Sequence, residues 1–303
     1  MIALGIDTSN YTTSAAWFDG ETGENCGRLL TVKSGELGLR QSDALFQHVV
    51  RLPDMIEALS QSMPEGPKAV GASERPRPVE GSYMPCFLAG SGTGKSLAAA
   101  SGVPYHGFSH QEGHLAAVLW SGKHMELMQE RFLAWHLSGG TTELLLVEPG
   151  LRPKVIGGTE DLSAGQLIDR TGVLLGLDFP AGKAIDALAQ TGEAKPYPVK
   201  VREIHFSLSG MQNKAAAMAE KSRENTARFV LECLIYAIEK ATEQARKQYG
   251  MLPAVFTGGV SSNSLLRSRI APQGGIFGTP ACSTDNAMGI AVLTWLAENG
   301  YAE

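Results

Sequence analysis

Twice in this chain an apolar β-type run breaks into a short turn of small polar residues and then resumes. At residues 2–18 the run Ile2–Ile6 ends in Asp-Thr-Ser-Asn before Thr13–Phe18; at residues 132–147 the turn is Ser-Gly-Gly-Thr-Thr. Such a turn lines up backbone N–H groups around a phosphate, and the flanking runs read as buried strands. Two of these hairpins, about half a chain apart, predict two related α/β lobes; a single large α/β sheet carries the same pattern. The 303 residues are long for one core and comfortable for two.

The rest of the chain alternates helix and strand signals. Residues 43–62 carry apolar positions at helical spacing (Leu45, Val49, Leu52, Ile56, Leu59). Residues 74–87 read as a Pro-rich loop, residues 94–101 as a helix, and VPYHGF as a short strand, with Ser109 capping a helix that begins at His110. Further on, a loop leads into a helix within GGTEDLSAGQLIDRTGVLLGL, residues 225–249 form a long amphipathic helix, and LPAVFTGGVSSNSLLRSRI reads strand, glycine turn, helix. STDNAMGIAVLTWLAENG is a polar turn and a closing helix, with Ser283 or Thr284 as its cap.

Composition narrows the function classes. A net charge of −5 argues against a chain that neutralises many phosphates alone, so a nucleic-acid substrate would need a local basic patch or a partner. The four cysteines are scattered with no CxxC pair, which predicts reduced thiols rather than a disulfide framework or a Cys-rich zinc site. No export signal and no long apolar run are visible, so a cytoplasmic protein without a membrane span is expected.

Residues 89–96, AGSGTGKS, fit the nucleotide-binding P-loop pattern. A P-loop also needs a buried strand running into it, and EGSYMPCFL is a poor strand. The octet is therefore read as a glycine-rich loop capping a helix, with Lys95 solvated. A different signal lies in SHQEGH. His110 and His114 are four apart, which on a helix puts both imidazoles on one face, able to share a metal ion. Glu112 falls on another face, so this is not the HExxH arrangement; two unrelated surface histidines remain the alternative. HLSGGTTEL offers a phosphate-type hairpin, and DTSNYTTS is the same device at the N-terminus, with Asp7 placed to bind a metal or a water. In TGGVSSN, Gly258 and Gly259 form a loop on which a nucleoside can lie against backbone, with Asn263 as a polar anchor. Asp285 reads either as part of a helix cap or as the carboxylate completing a site with the two histidines.

Together, and in this order, these stretches resemble the actin/Hsp70/sugar-kinase (ASKHA) superfamily. HQEGH, LSGGTTEL, GKAIDALA, FSLSG, TGGVSSN and STDNAMGIA are similar, more narrowly, to the Gcp/TsaD family, the tRNA threonylcarbamoyladenosine transferases formerly called O-sialoglycoprotein endopeptidases. The resemblance runs from residue 3 to about 296. It implies an α/β fold of duplicated RNase H-like domains. Lobe I would span residues 1–125, with a C-terminal helix of about 284–303 packing back on it; lobe II would span 126–283, with the active site in the cleft between them. It implies His110, His114 and Asp285 as ligands of one divalent ion, iron or zinc, with Asp7 and Ser138 in catalytic roles. His136, Leu137, Ser138, Gly139 and Gly140 match substrate-binding positions, and the His136 position holds a metal-contacting tyrosine in some members. Asp169, Gly182, Asp186 and Asn263 match positions that bind an adenylate or ATP-type nucleotide, beside the Gly258–Gly259 loop.

The implied reaction is transfer of a threonylcarbamoyl group from threonylcarbamoyl-AMP to the amine of the adenosine beside the anticodon of tRNAs reading A-starting codons. The implied partners are tRNA, held with the help of other proteins, and a hetero-complex with a family paralogue and an ATPase subunit. Arg75, Arg77, Lys200, Arg202, Arg267 and Arg269 are candidate tRNA contacts, each otherwise a solvated charge. The chain also departs from the family. After Thr8-Ser9, members usually carry Cys-Asp-Glu-Thr, and here Asn10-Tyr11-Thr12-Thr13 lacks both acidic residues. Phe179-Pro180-Ala181-Gly182-Lys183 stands where Tyr-Pro-Gly-Gly-Pro is usual. The rival expectations are a divergent paralogue with a metal and adenylate site but another substrate (carbamoyl transfer or ATPase), and a non-catalytic partner-binding scaffold.

Overall fold

The computed structural model describes residues 1–9, 11–32 and 39–300; Asn10 of the first polar turn and the last residues of the expected C-terminal segment lie outside them. The chain divides into two compact units, Met1–Met128 with Thr284–Glu303, and Gln129–Ser283.

The first unit runs β1 (Ala3–Thr8), β2 (Thr12–Phe18), β3 (Gly23–Leu29), α1 (Gln41–Ser60), β4 (Ala69–Arg75), α2 (Phe87–Ser101), β5 (Tyr105–Ser109) and α3 (His110–Gly122), and takes in the C-terminal helix Met288–Asn299. Its sheet has the order β3-β2-β1-β4-β5. β1 and β2 form an antiparallel hairpin, while β4 lies parallel to β1 and β5 parallel to β4. Every residue of β1 and β2 is buried, so both faces are covered and the strands read as continuous runs rather than alternating ones. Ile6 and Ala72 pack with Leu52 of α1 and Ala89 of α2.

The second unit runs β6 (Phe132–Leu137), β7 (Thr142–Glu148), β8 (Arg152–Thr159), α4 (Ala164–Leu174), α5 (Gly182–Thr191), β9 (Val201–Arg202), β10 (His205–Phe206), α6 (Ser209–Ala219), α7 (Arg223–Tyr249), β11 (Ala254–Thr257), α8 (Ser264–Ile270) and β12 (Gly275–Phe277). Its sheet has the order β12-β11-β6-β7-β8-β10-β9. Leu133, Trp135 and Leu137 of β6 share a core with Phe229, Leu234 and Ile238 of α7. The Trp135 indole, too large to bury without a partner, donates to Thr242 Oγ1 at 2.9 Å. The two units repeat one plan: an antiparallel hairpin whose first strand has a parallel neighbour, β1 beside β4 and β6 beside β11. Among the described residues no helix is long and apolar enough to cross a membrane.

Two local expectations are corrected. AGSGTGKS is not a loop; it lies inside α2, which begins at Phe87. Two of its glycines, Gly90 and Gly94, serve close packing of helix on sheet. A Cβ built on Gly90 would lie 2.8 Å from Thr8 Oγ1, and that hydroxyl already accepts from Gly90 N–H at 3.1 Å and donates to the Cys86 carbonyl. Lys95 is not merely solvated, because it pairs with Glu74 at 2.8 Å. The Glu74 partner belongs to β4, whose sequence AVGASER is too poor in large apolar residues to signal a strand, and which takes the first residues of the expected 74–87 loop.

This geometry separates two glycines of one helix. Gly90→Ala should lower the denaturation midpoint by the equivalent of about 1–3 kcal/mol, because the added methyl meets a buried, bonded hydroxyl. Gly92→Ala, whose Cβ meets nothing within 4 Å, should raise it by up to about 1 kcal/mol. Equal midpoints in urea would refute the packing account.

Candidate functional site

α3 begins where it does because Ser109 and Glu112 form a capping box: Ser109 Oγ accepts from Glu112 N–H at 3.2 Å and Glu112 Oε2 accepts from Ser109 N–H at 2.7 Å. Glu112 is thereby spent on the helix start. His110 then occupies the first turn and His114 lies one turn on. Their Nε2 atoms are 3.0 Å apart, with the ring centroids separated by 4.3 Å. Asp285 arrives from far along the chain, just before the C-terminal helix. Its Oδ1 lies 3.5 Å from His110 Nε2 and 3.3 Å from His114 Nε2. The helices can come this close because Gly113 and Gly289 meet backbone to backbone; a Cβ on Gly289 would lie 1.8 Å from the Gly113 carbonyl oxygen. Asp285 is not the helix cap, and neither is Ser283 or Thr284. The helix starts at Met288, and Asn286 Oδ1 accepts from Met288 N–H at 3.0 Å.

These three side chains are the one His/Cys/Asp/Glu group among the described residues that could hold a metal ion. Ligands at about 2.0–2.1 Å from a tetrahedral ion stand about 3.3 Å apart. The separations of 3.0, 3.3 and 3.5 Å match that edge. Two imidazoles and a carboxylate suit zinc or iron, and their chemistry does not choose between the two.

Asp7, at the end of β1, is fully buried. Its place in the first polar turn suggested a metal or a water as its partner; the geometry gives it to His110, whose Nδ1–H donates to Asp7 Oδ1 at 3.0 Å, and to Ser73, whose hydroxyl donates to the same oxygen. Ser73 sits in the strand that the sequence did not reveal, so no signal pointed to it. The charges are strongly coupled. Burial alone would raise Asp7 and Asp285, but the adjoining histidine charge and hydrogen bonds outweigh it and hold Asp7 low and Asp285 well below the usual carboxylate range. Burial pushes His110 down, yet the two carboxylates outweigh that and lift it to about 10. Without metal, a proton on His110 balances the carboxylates.

In the second unit, Ser138–Gly140 and Gly258–Asn263 follow the carboxyl ends of the parallel strands β6 and β11, where open α/β sheets bind ligands, while Asp169 lies in α4 and Gly182 and Asp186 in α5. Ser138 N–H donates to the Thr141 carbonyl at 2.8 Å and closes the hairpin turn. The turn is braced on the start of α4: Ser163 Oγ donates to the Gly139 carbonyl at 2.7 Å, and Gly165 N–H to the Ser138 carbonyl at 3.2 Å. Gly258, at φ +86°, packs on Leu137 backbone, where a Cβ would lie 2.3 Å from the Leu137 carbonyl oxygen. Leu137 is fully buried, and His136 Nδ1 lies 3.3 Å from Thr257 Oγ1, a partner with no signal in the sequence. By contrast, a Cβ on Gly139, Gly140, Gly182 or Gly259 would meet nothing within 4 Å, and none of the four has a positive φ. Nothing inside the protein demands glycine there, so the bare backbone is open to a ligand.

The other expected residues have internal partners. Asp169 Oδ1 accepts from Ala181 N–H at 2.8 Å, and burial raises its pKa. Asp186 accepts from both the N–H and the hydroxyl of Ser264, at 2.9 Å each, and so ties α5 to α8. Asn263 caps α8, accepting from Leu266 N–H at 2.9 Å. Two of the candidate tRNA contacts have partners within the protein. Arg267 donates to the carbonyls of Ser261 and Gly278 and to Ser283 Oγ, and lies over the Phe277 ring; Arg269 pairs with Glu232 at 3.0 Å. Helix α8 is short, and the partners of its basic residues lie in loops and on α7, where sequence spacing cannot locate them.

Two α/β units that repeat one plan, an antiparallel hairpin whose first strand has a parallel neighbour, are the architecture of an actin/Hsp70/sugar-kinase fold. Solved structures bear this out. Full-length HypF in its phosphate- and nucleotide-bound form superposes with a TM-score of 0.65 at 13% identity, over 100% of this chain and 56% of that one. The activator of 2-hydroxyisocaproyl-CoA dehydratase from Clostridium difficile with bound ADPNP gives 0.59 at 12% identity, over 99% and 96%. At these identities the likeness shows the fold alone. The family follows from sequence: the model of TsaD, tRNA N6-adenosine threonylcarbamoyltransferase, matches residues 38–292, and the chain belongs to that family. A curated tRNA N6-adenosine threonylcarbamoyltransferase from Polynucleobacter asymbioticus is 29% identical over 351 aligned positions, covering 99% of this chain and 94% of the relative.

The glycines supply a test of the nucleotide cradle. Alanine at Gly139, Gly140 or Gly259 should leave stability within about 0.5 kcal/mol, while weakening the binding of an AMP or ATP analogue measured by calorimetry. Alanine at Gly258 should instead cost stability, because its φ and the Leu137 backbone both exclude a side chain. Unchanged nucleotide affinity across the first set would remove the cradle.

Proposed function

We propose that this protein transfers a threonylcarbamoyl group from threonylcarbamoyl-AMP to the exocyclic amine of the adenosine beside the anticodon of tRNAs that read A-starting codons. The observation that carries the reading is the convergence of His110, His114 and Asp285 in a chain of the TsaD family. These residues would hold a divalent ion, which would supply Lewis acidity toward the carbamoyl oxygen. Ser138, Gly139 and Gly140 present backbone to the adenylate phosphate, and Gly259 leaves room for the nucleoside. The adenosine nitrogen bonds to the carbamoyl carbon, the carbon–oxygen bond of the mixed anhydride breaks, AMP leaves, and the amine releases a proton. No nucleophilic side chain is required.

The acidic chain works with partners that hold the tRNA, in a hetero-complex with a paralogue and an ATPase subunit; Arg75, Arg77, Lys200 and Arg202 are the contacts we assign on this chain. One observation favours a second reading. The first turn lacks the family's acidic pair, which suits a member that keeps the metal and adenylate sites but serves another acceptor, or only scaffolds a partner.

Incubation with threonine, bicarbonate, ATP, tRNA, partner proteins and an adenylate-forming synthase, followed by nucleoside mass analysis, should yield the threonylcarbamoylated adenosine. Its absence with every partner present would sink the transferase reading and favour the second. The metal-free protein offers an independent check. His110 is raised above its ordinary 6.5 to about 10. Its contribution to stability is therefore fully present below pH 6.5 and is lost as pH rises toward about 10. Chelator-treated wild type should show that decline in thermal melts, and His110→Ala should not.

A further inference from the structure

We propose that Asp7 is a positioning residue of the metal centre: it holds His110 in the tautomer and ring angle that present Nε2, rather than Nδ1, to the cation. The inference rests on the metal reading above and deepens it by giving a role to a carboxylate that is not a ligand. Asp7 is the single ionisable side chain of β1 and is fully buried. Its Oδ1 accepts from His110 Nδ1–H at 3.0 Å and from the Ser73 hydroxyl. A neutral imidazole carries one N–H and one lone pair, so an Nδ1–H bonded to a carboxylate leaves the lone pair on Nε2. Nε2 is the atom that lies 3.0 Å from His114 Nε2 and 3.5 Å from Asp285 Oδ1.

The strand framework fixes this carboxylate. Asp7 is opposite Ser14 in the β1–β2 register, and Ser73 comes from β4, the parallel neighbour of β1. Two strands and the first turn of α3 therefore meet at one oxygen. Asp7 Oδ2 is buried with no hydrogen-bond partner among the described residues. A half-satisfied carboxylate in the interior is costly as a structural hydrogen-bond acceptor. A serine or threonine, as at the neighbouring positions Thr8 and Ser9, would accept a bond without that cost. What the hydroxyl lacks is the negative charge that strengthens a donor imidazole as a metal ligand, the arrangement of a carboxylate–histidine–metal triad.

The test measures metal binding, not turnover. Zinc affinity is read by competition with a chromophoric chelator in wild type, Asp7→Asn and His110→Ala, together with the melting temperature of each metal-free protein. Asp7→Asn keeps the side chain's shape and should weaken zinc about 10–100-fold, and should shift the visible d–d bands of the cobalt-substituted protein. Wild-type zinc affinity in Asp7→Asn, whatever its melting temperature, would make Asp7 a structural residue and overturn the proposal while leaving the metal site standing. A wild-type protein that binds neither zinc nor cobalt would overturn both. If Asp7→Asn does not fold, nitrogen-15 NMR of the imidazoles in zinc-loaded wild type decides: Nδ1 protonated and Nε2 coordinated at His110 upholds the assignment, and the reverse tautomer refutes it.

Discussion

The contact between Gly113 of α3 and Gly289 of the C-terminal helix is the constraint on which the candidate metal site depends. Two side-chain-free positions let the helices meet backbone to backbone. The carboxylate of Asp285, just ahead of Met288, then falls within 3.5 Å of both imidazoles. A side chain at Gly289 would run into the Gly113 carbonyl, wedge the helices apart and carry Asp285 away from its partners. Here helix packing, rather than a dedicated loop, sets the distances of the candidate ligands. The buried Asp7 completes the arrangement from the sheet side, so the trio is braced from a strand as well as from two helices.

The second unit follows a different rule. Glycines in the second unit divide into those the protein needs and those it does not. Gly258 and Gly165 are pressed against Leu137 and the Ser138–Gly139 backbone, whereas Gly139, Gly140, Gly182 and Gly259 face open space. The first group shapes the strand ends; the second leaves backbone bare where a phosphate or a ribose can approach. Residues such as Asp186 and Asn263 then keep α5 and α8 in register around that surface.

Much of this was legible in the sequence, for identifiable reasons. The two hairpins announced themselves because strands covered on both faces are continuously apolar and stop abruptly at polar turns. The start of α3 was readable because Ser109 and Glu112 form a local cap. The spacing of His110 and His114 was readable because helical geometry is local. Three things were hidden. AVGASER forms a central strand with almost no large side chains, since α2, β5 and the C-terminal helix crowd it. AGSGTGKS satisfied a loop motif by composition while Gly90 and Gly94 serve helix-on-sheet packing. The partners of Asp7 lie 66 and 103 residues away, and those of Asp186 and Arg267 lie 78 and up to 16 residues away, beyond any short-range pattern.

The first unit is assembled from two segments of chain, with the whole second unit between them. During synthesis both histidines emerge before the second unit, and their acidic companion only after it. Domains that fold as they emerge would here leave the first one open at its ion-binding corner while its neighbour is completed. A polypeptide that stops before Asp285 carries the two imidazoles of the candidate site without its carboxylate.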